Sequence, residues 1–230
     1  MPRNTQKDIR AEALRRERIL MAGLRLFSQQ GIERVSMNMV AQAAGVGPTT
    51  LFKYYKSKEN LVVAISAMAW AEEWRLALEH YGPEMQETMT AYELIQCYTD
   101  WIILVYRRNP ALLRFSGDYK SYICRQNPPQ EELQEHLEAL QPIKVLFHRA
   151  YLRARDDGSI RLDVPEDTLY AATAIHMLSV AERFAQGIVW TRYGAENYLR
   201  ELDIARDMIL SWCAGEKAPP RRPPISRLGS

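Results

Sequence analysis

Apolar residues recur along most of this chain at intervals of three and four, the spacing that places side chains on one face of an α-helix. The first such stripe, Leu14, Ile19, Leu20, Leu24 and Phe27, predicts a helix over Asp8–Gln30. Arg10, Arg15, Arg16 and Arg18 lie outside the stripe, Gly31 serves as C-cap, and Ile32 folds back on the helix end. A second helix is expected from Ser57 to about His80, with Leu61, Ile65, Met68 and Ala69 on one face and Trp70 and Trp74 a turn apart; Tyr81-Gly82-Pro83 breaks it. Further helices are read over Met85–Arg108, Pro110–Tyr122 and Gln130–Arg155, separated by Asn109-Pro110 and Asn127-Pro128-Pro129, with Pro142 kinking the last. Asp157-Gly158 turns the chain, Arg161–Val164 is extended, and Pro165-Glu166-Asp167 opens another helix. Its stretch Leu169–Val180 is apolar almost all round and is expected to be buried on several sides. In the last helix, Ala195–Cys213, the residues Tyr198, Leu202, Ala205, Ile209 and Trp212 follow alternating steps of four and three, the period of a helix-packing seam.

One stretch departs from long helices. Ser36–Leu61, SMNMVAQAAGVGPTTLFKYYKSKENL, reads as two short helices joined by a tight turn and followed by a third helix. Ser36 can cap the first, whose apolar face is Met39, Val40, Ala43 and Ala44, and Gly45 ends it. Gly47 and Pro48 suit the cap and first position of the next helix, where a missing N–H costs nothing. Leu51 and Tyr55 share its inner face, which leaves Thr49, Thr50, Lys53 and Tyr54 pointing mostly elsewhere. The cadence A-x-A-A-G-V-x-x-x-x-L-F-x-Y-Y-x-S-K-E-x-L resembles the DNA-binding domain of the TetR family of transcriptional regulators, and R-x-R-I-L-x-A-G-x-x-L-F resembles that family's first helix. The resemblance covers about residues 15–65. It departs at Gly23, Gly47 and Phe52, where the family commonly has Ala, a capping Ser or Thr, and Tyr. It implies an all-α chain with a three-helix, helix-turn-helix DNA-binding domain over 8–56 and a helical ligand-binding and dimerisation domain over 57–215; the remainder, 216–230, is rich in Pro and Arg without a core pattern and is expected to be a disordered tail. Carried over by position, it implies that Pro48, Thr49 and Lys53 face bases and that Ser36, Thr50, Tyr54 and Lys58 face phosphates.

Charge changes the picture in the same direction. The net charge of +2 is unevenly spread: residues 1–60 sum to +6, residues 61–215 to −7 and the last fifteen to +3. A basic head on an acidic body suits a protein that meets a polyanion at one end, with Arg3 and Lys7 in a mobile arm within reach of a phosphate backbone. The same distribution also fits a solvated basic helix. Cys97, Cys124 and Cys213 are widely spaced, with neither a C-x-x-C nor a nearby histidine pair, so no disulfide framework, zinc site or other cofactor is expected. The polar start, MPRNTQKDIR, and the lack of any apolar run of about 18 residues predict a cytoplasmic chain with no membrane partner.

No catalytic or phosphate-cradling motif is present, and His80, His136, His148 and His176 stand singly, so an enzyme is not expected. A homodimer is expected, which binds a roughly palindromic double-stranded operator and releases it when a small apolar or aromatic effector enters the body. Tyr98, Trp101, Phe115, Tyr119, Phe147, Tyr151, His176 and Met177 are the candidate pocket lining, although the same spacing fits an ordinary core. Tyr198, Leu202, Ala205, Ile209 and Trp212 are the candidate dimer seam, which the family's use of its last two helices supports. The alternative is a ligand-independent DNA-binding adaptor that recruits a protein partner through its bundle.

Overall fold

A computed structural model describes residues 6–187 and 195–223. Arg3 and the residues from 224 on, which the sequence reading assigned to an arm and a tail, lie outside that description, as does the side chain of Lys7. Eleven α-helices follow one another among the described residues: α1 (Gln6–Gln30), α2 (Met37–Ala44), α3 (Pro48–Tyr54), α4 (Lys58–Tyr81), α5 (Pro83–Thr88), α6 (Ala91–Arg108), α7 (Pro110–Gln126), α8 (Gln134–Asp157), α9 (Glu166–Tyr170), α10 (His176–Ala185) and α11 (Ala195–Cys213). A 3₁₀ turn (Gln130–Leu133) precedes α8, and a π turn (Ala171–Ile175) joins α9 to α10. No helix among the described residues is long and apolar enough to cross a membrane.

The chain divides into two compact units, and the division does not fall at 56/57. The residues up to Trp70 cluster with Phe115–Ala139, and Ala71–Arg114 clusters with the residues from Leu140 onward. Helices α4, α7 and α8 each run through the division. In the first unit Ile19, Phe27, Ile32, Val40, Leu51, Leu61, Ile65 and Phe115 are buried together with their neighbours. Gly31, at φ 83°, ends α1. The amide of the next residue, Ile32, donates to the Asp118 carboxylate of α7 at 2.6 Å. Three further contacts fasten α7 to the same end of the head: Phe27 stacks on Phe115 with centroids 6.3 Å apart, the Tyr122 hydroxyl donates to Glu59 at 2.5 Å, and Arg125 pairs with Glu33 at 3.1 Å. From α8, His136 meets the Ser66 hydroxyl at 2.9 Å and packs at a tilt against the Tyr119 ring, centroids 4.6 Å apart; burial holds its imidazole down at about 4, so it is neutral at physiological pH.

Several expectations are corrected. The single helix expected over Met85–Arg108 is two helices, because Thr90 and Glu93 form a capping box that starts α6 afresh. Leu14 is 61% exposed, so the buried stripe of α1 begins only at Ile19. The stretch Leu169–Val180 is not buried all round: the π turn inserts a wider winding that rephases the stripe, leaving Ile175 46% exposed with His176 and Ser179 also at the surface. The segment 216–223 is ordered and hydrogen-bonded instead of forming a disordered tail.

Gly23 has a packing reason. A Cβ built there would lie 2.5 Å from the Ile65 Cδ1 of α4, and Ile65 is fully buried. Gly23→Ala recovers about 1 kcal/mol of helix propensity but must push a buried methyl aside, at about 1–3 kcal/mol. In urea unfolding the variant is therefore expected to be destabilised by about 1 kcal/mol, and Ile65→Val, which deletes the obstructing carbon, should make the same substitution neutral or stabilising. A more stable Gly23→Ala in the unchanged background would contradict the packing.

Candidate nucleic-acid interface

The turn between α2 and α3 is built by caps. Ser36 accepts from the Met39 amide at 3.3 Å and so starts α2. Gly45, left-handed at φ 65°, ends α2 with its N–H on the Gln42 carbonyl, and the Val46 N–H returns to the Ala41 carbonyl at 3.0 Å. Gly47 supplies no side-chain cap to α3 and Pro48 takes its first position. A helix of only seven residues is not stable alone. Buried Leu51 and Tyr55 tie it to the unit, leaving the opposite face free.

On that face Pro48, Thr49, Phe52 and Lys53 are exposed and Thr50 is half-buried. They form a patch of one cation, two hydroxyls and an apolar ring. Ser36 is exposed at the start of α2. Tyr54 is half-buried, and its hydroxyl accepts from Arg15 of α1 at 3.5 Å. Arg16, one residue on, lies beside the Tyr55 phenol, which burial pushes up. Lys58 departs from the role implied for it: its ammonium donates to the Glu33 carbonyl at 3.2 Å and sits 5.6 Å from the centre of the Tyr122 ring, and burial lowers it. That contact spends Lys58 on the head itself instead of presenting it as a free cation. Phe52, 46% exposed, is a surface residue that the sequence reading noted only for its missing hydroxyl. An exposed apolar ring between polar neighbours on a four-residue repeat was the available signal.

The candidate effector residues are divided between the two units. Phe115 and Tyr119 belong to the first unit and the other six to the second. Tyr98 and Phe147 meet edge to face at 5.2 Å, and Phe147 meets Tyr170 at 5.3 Å. The Tyr98 hydroxyl is spent on the Ala174 carbonyl and the Tyr151 hydroxyl on the Val164 carbonyl. Met177 is fully buried, whereas His176 is exposed and forms no part of an inner wall. Of the eight, Trp101 lines an open groove of about 670 Å³, with Leu76, Glu79, His80, Leu104, Arg107 and Arg108; the Arg108 guanidinium lies 4.9 Å over its ring. A second recess of about 450 Å³ is bounded by Tyr106, Arg107, Pro110, Arg114, Phe184 and Tyr198, with the last two rings stacked at 5.2 Å.

The residues of the candidate dimer seam divide between the inner and outer faces of α11. Leu202 and Ile209 are buried within this chain, and Tyr198 and Ala205 are half-buried. Trp212 is 36% exposed beneath the Arg161 guanidinium. The open apolar stripe of α11 is Ile204 (51% exposed) and Met208 (68%), one turn apart and one turn before Trp212. The alternating pattern identified the inner face of α11, since a helix with apolar residues on two faces shows the same spacing for both.

Comparison with known proteins agrees with this geometry. Residues 19–65 match the family model described as bacterial regulatory proteins, tetR family. An HTH-type transcriptional regulator of Staphylococcus aureus (strain USA300) is 27% identical over 99 residues, 43% of this chain; the match spans about half (51%) of that relative's length. A TetR family transcription regulator from Marinobacter aquaeolei VT8 superposes with a TM-score of 0.61 at 20% identity, covering 90% of this chain and 99% of that one. The transcriptional regulator FadR from Bacillus subtilis, solved in complex with stearoyl-CoA, superposes at 0.64 with 15% identity, covering 85% and 98%. At such identities the structures show the shared fold: a helix-turn-helix unit followed by a helical domain. The capped α2–α3 turn, the residues matched and the fold agree: residues 19–65 form a TetR-family helix-turn-helix domain, and the chain shares the fold of TetR-family regulators of known structure.

Proposed function

We propose that this protein is a homodimeric repressor that inserts α3 into the major groove of a palindromic operator and lets go when a small apolar or aromatic molecule binds the helical body. The observation that carries the reading is the free face of α3: Pro48, Thr49, Phe52 and Lys53 exposed together on a helix held from behind by Leu51 and Tyr55. Lys53 can donate to guanine O6 and N7, and Phe52 suits the methyl of thymine. Thr50, Ser36 and the Arg15–Tyr54 pair serve the phosphate backbone, which positions the helix without reading sequence. Lys58 acts indirectly, by holding the first turn of α4 against Glu33.

Two copies are brought together through the exposed Ile204–Met208 stripe of α11, an apolar surface of the kind that a partner copy buries. The dimer spaces two α3 helices for successive major-groove faces, about 34 Å apart or a multiple of it. The effector reading draws support from the groove at Trp101, an aromatic wall with the Arg107 and Arg108 cations at its edge, and from the fold shared with a regulator solved in complex with stearoyl-CoA. An effector that separates the bound and free arrangements fully, from 1:99 to 99:1, needs about 5.5 kcal/mol of differential binding. Helix α7 is the path by which that difference reaches the head, because it carries Asp118 and Tyr122 onto Ile32 and Glu59.

Selection of bound fragments from a random-duplex pool tests the reading as a whole. A palindromic site should emerge, and recovery of no preferred sequence by folded dimeric protein would overturn it. On the selected site, Lys53→Ala should flatten base preference at one position of each half-site, at about 1–3 kcal/mol, whereas Tyr54→Phe should weaken all sequences alike. Equal, sequence-independent losses from both would remove Lys53 from base readout. Met208→Asp should convert dimer to monomer in light scattering with the helical signal intact; a dimer that persists would place the interface elsewhere.

A further inference from the structure

The described end of the chain is a strap with a polar underside. Ile160 and Ala214 form an antiparallel bridge, the Arg161 N–H donates to the Cys213 carbonyl at 2.9 Å, and the Gly215 N–H donates to the Ser159 carbonyl at 2.9 Å. A side chain at Gly215 would collide with the Gly158 carbonyl, so the crossing is made at a residue without one. The segment then runs back along α11: Arg221 reaches the Ser211 hydroxyl at 2.6 Å, and the carbonyls of Arg222 and Pro223 accept from Nη2 and Nη1 of Arg206, each at 3.2 Å.

The cover is shallow and what it covers is deep. Pro220, Arg221 and Pro223 are exposed and Arg222 is half-buried, whereas Arg206 is 1% exposed, Asp100 2%, Asp203 4% and Cys97 5%. Arg206 also donates from Nη1 to Asp100 at 2.9 Å and from Nε and Nη2 to Asp207 at 3.1 and 2.9 Å. The two strap carbonyls complete its bonding, one on each terminal nitrogen. A single carboxylate satisfies a guanidinium in that same forked way. The Arg222 guanidinium turns inward and donates to the Cys97 Sγ at 3.4 Å, with Tyr81 and Asp100 close enough to stabilise its charge. Sulfur is a weak acceptor, so the bond holds the guanidinium loosely. Charge also favours a cation: Asp100 and Asp207 both pair with the one guanidinium of Arg206, and Arg222 brings a second cation close to Asp100. The flanking prolines carry no N–H, so leaving the site strands no strap donor there, and their fixed φ lowers the entropy regained on release.

We propose that the recess formed by Tyr81, Cys97, Asp100 and Arg206 is a binding site for a small molecule that carries both a guanidinium and a carboxylate, and that the strap occupies it as an internal stand-in: the Arg222 side chain for the guanidinium, the carbonyls of residues 222 and 223 for the carboxylate. This site shares no lining residue with the Trp101 groove, although the Tyr81 and Trp101 rings meet edge to face at 6.2 Å, and it does not rest on DNA binding. An occupant on the same chain competes at an effective concentration in the millimolar range, and it lowers the apparent affinity by the fraction of time the site is filled.

Calorimetric titration of the full-length chain with L-arginine, agmatine and L-citrulline tests the proposal. Arg222→Ala should bind L-arginine about tenfold or more tightly than the wild-type chain, agmatine more weakly for want of the carboxylate, and citrulline, which lacks the positive charge, not measurably. Arg222→Lys keeps a cation and guards against loss of folding in the alanine variant; its ammonium is a poorer mimic, so it too should bind L-arginine more tightly than wild type. Low-millimolar methylguanidinium should raise the Tm of Arg222→Ala and leave that of the wild type unchanged. If neither variant gains affinity for L-arginine over wild type, or if the three compounds bind alike, the strap is only a structural brace and the proposal is wrong.

Discussion

The hydrogen bond from the Ile32 amide to Asp118 is the constraint on which the first unit depends. It falls at the point where α1 has ended at Gly31 and the chain turns toward α2, so it fixes the entry to the reading turn by a residue of α7 that lies far along the sequence. A carboxylate that accepts a backbone N–H forms a charge-assisted bond, stronger than a neutral one and directional. Around it Phe27–Phe115 supplies apolar area, and Glu59–Tyr122 and Glu33–Arg125 fix register. Because α7 enters this unit at Phe115 while its first turn belongs to the other, a displacement along one helix has a defined set of contacts to break or keep at the head.

What the sequence made legible was local. The caps at Ser36, Gly45, Gly47 and Pro48 and the stripe Val40, Ala44 and Leu51 needed only neighbouring residues to interpret, and α2 and α3 form where they imply. The division of the chain was not legible, because it depends on α7 and the start of α8 packing on the head, a pairing of residues remote in sequence that no periodicity encodes. Gly23 looked like a small loss of helix propensity until Ile65 was seen to fill the space above it. The Thr90–Glu93 capping box was readable but hidden inside a longer apolar pattern, and the π turn at Ala171–Ile175 moved His176 outward by a phase shift that a fixed period of 3.6 cannot anticipate.

Aromatic residues at helical spacing were the weakest guide. Tyr98, Phe147 and Tyr151 satisfy one another or nearby carbonyls, which is how a core uses such residues, while Trp101, Arg108 and Phe184 are among the residues that line the grooves. The Arg-rich end of the chain, read as featureless because it lacks an apolar pattern, is held by polar bonds to Arg206 and Cys97. Apolar periodicity reports burial of hydrocarbon and is silent about a buried ion pair, so a strap that docks on Asp100 and Arg206 leaves no periodic trace.

The affinity of Asp118→Ala for the duplex site selected by the wild-type chain tests the central claim most directly, since every residue proposed to face a base or a phosphate is left in place. If the bond to Ile32 sets the reading turn, specific affinity should fall by about tenfold, close to 1.4 kcal/mol, while the helical content and the dimer persist. An Asp118→Ala chain that binds the selected site as tightly as wild type would contradict the account.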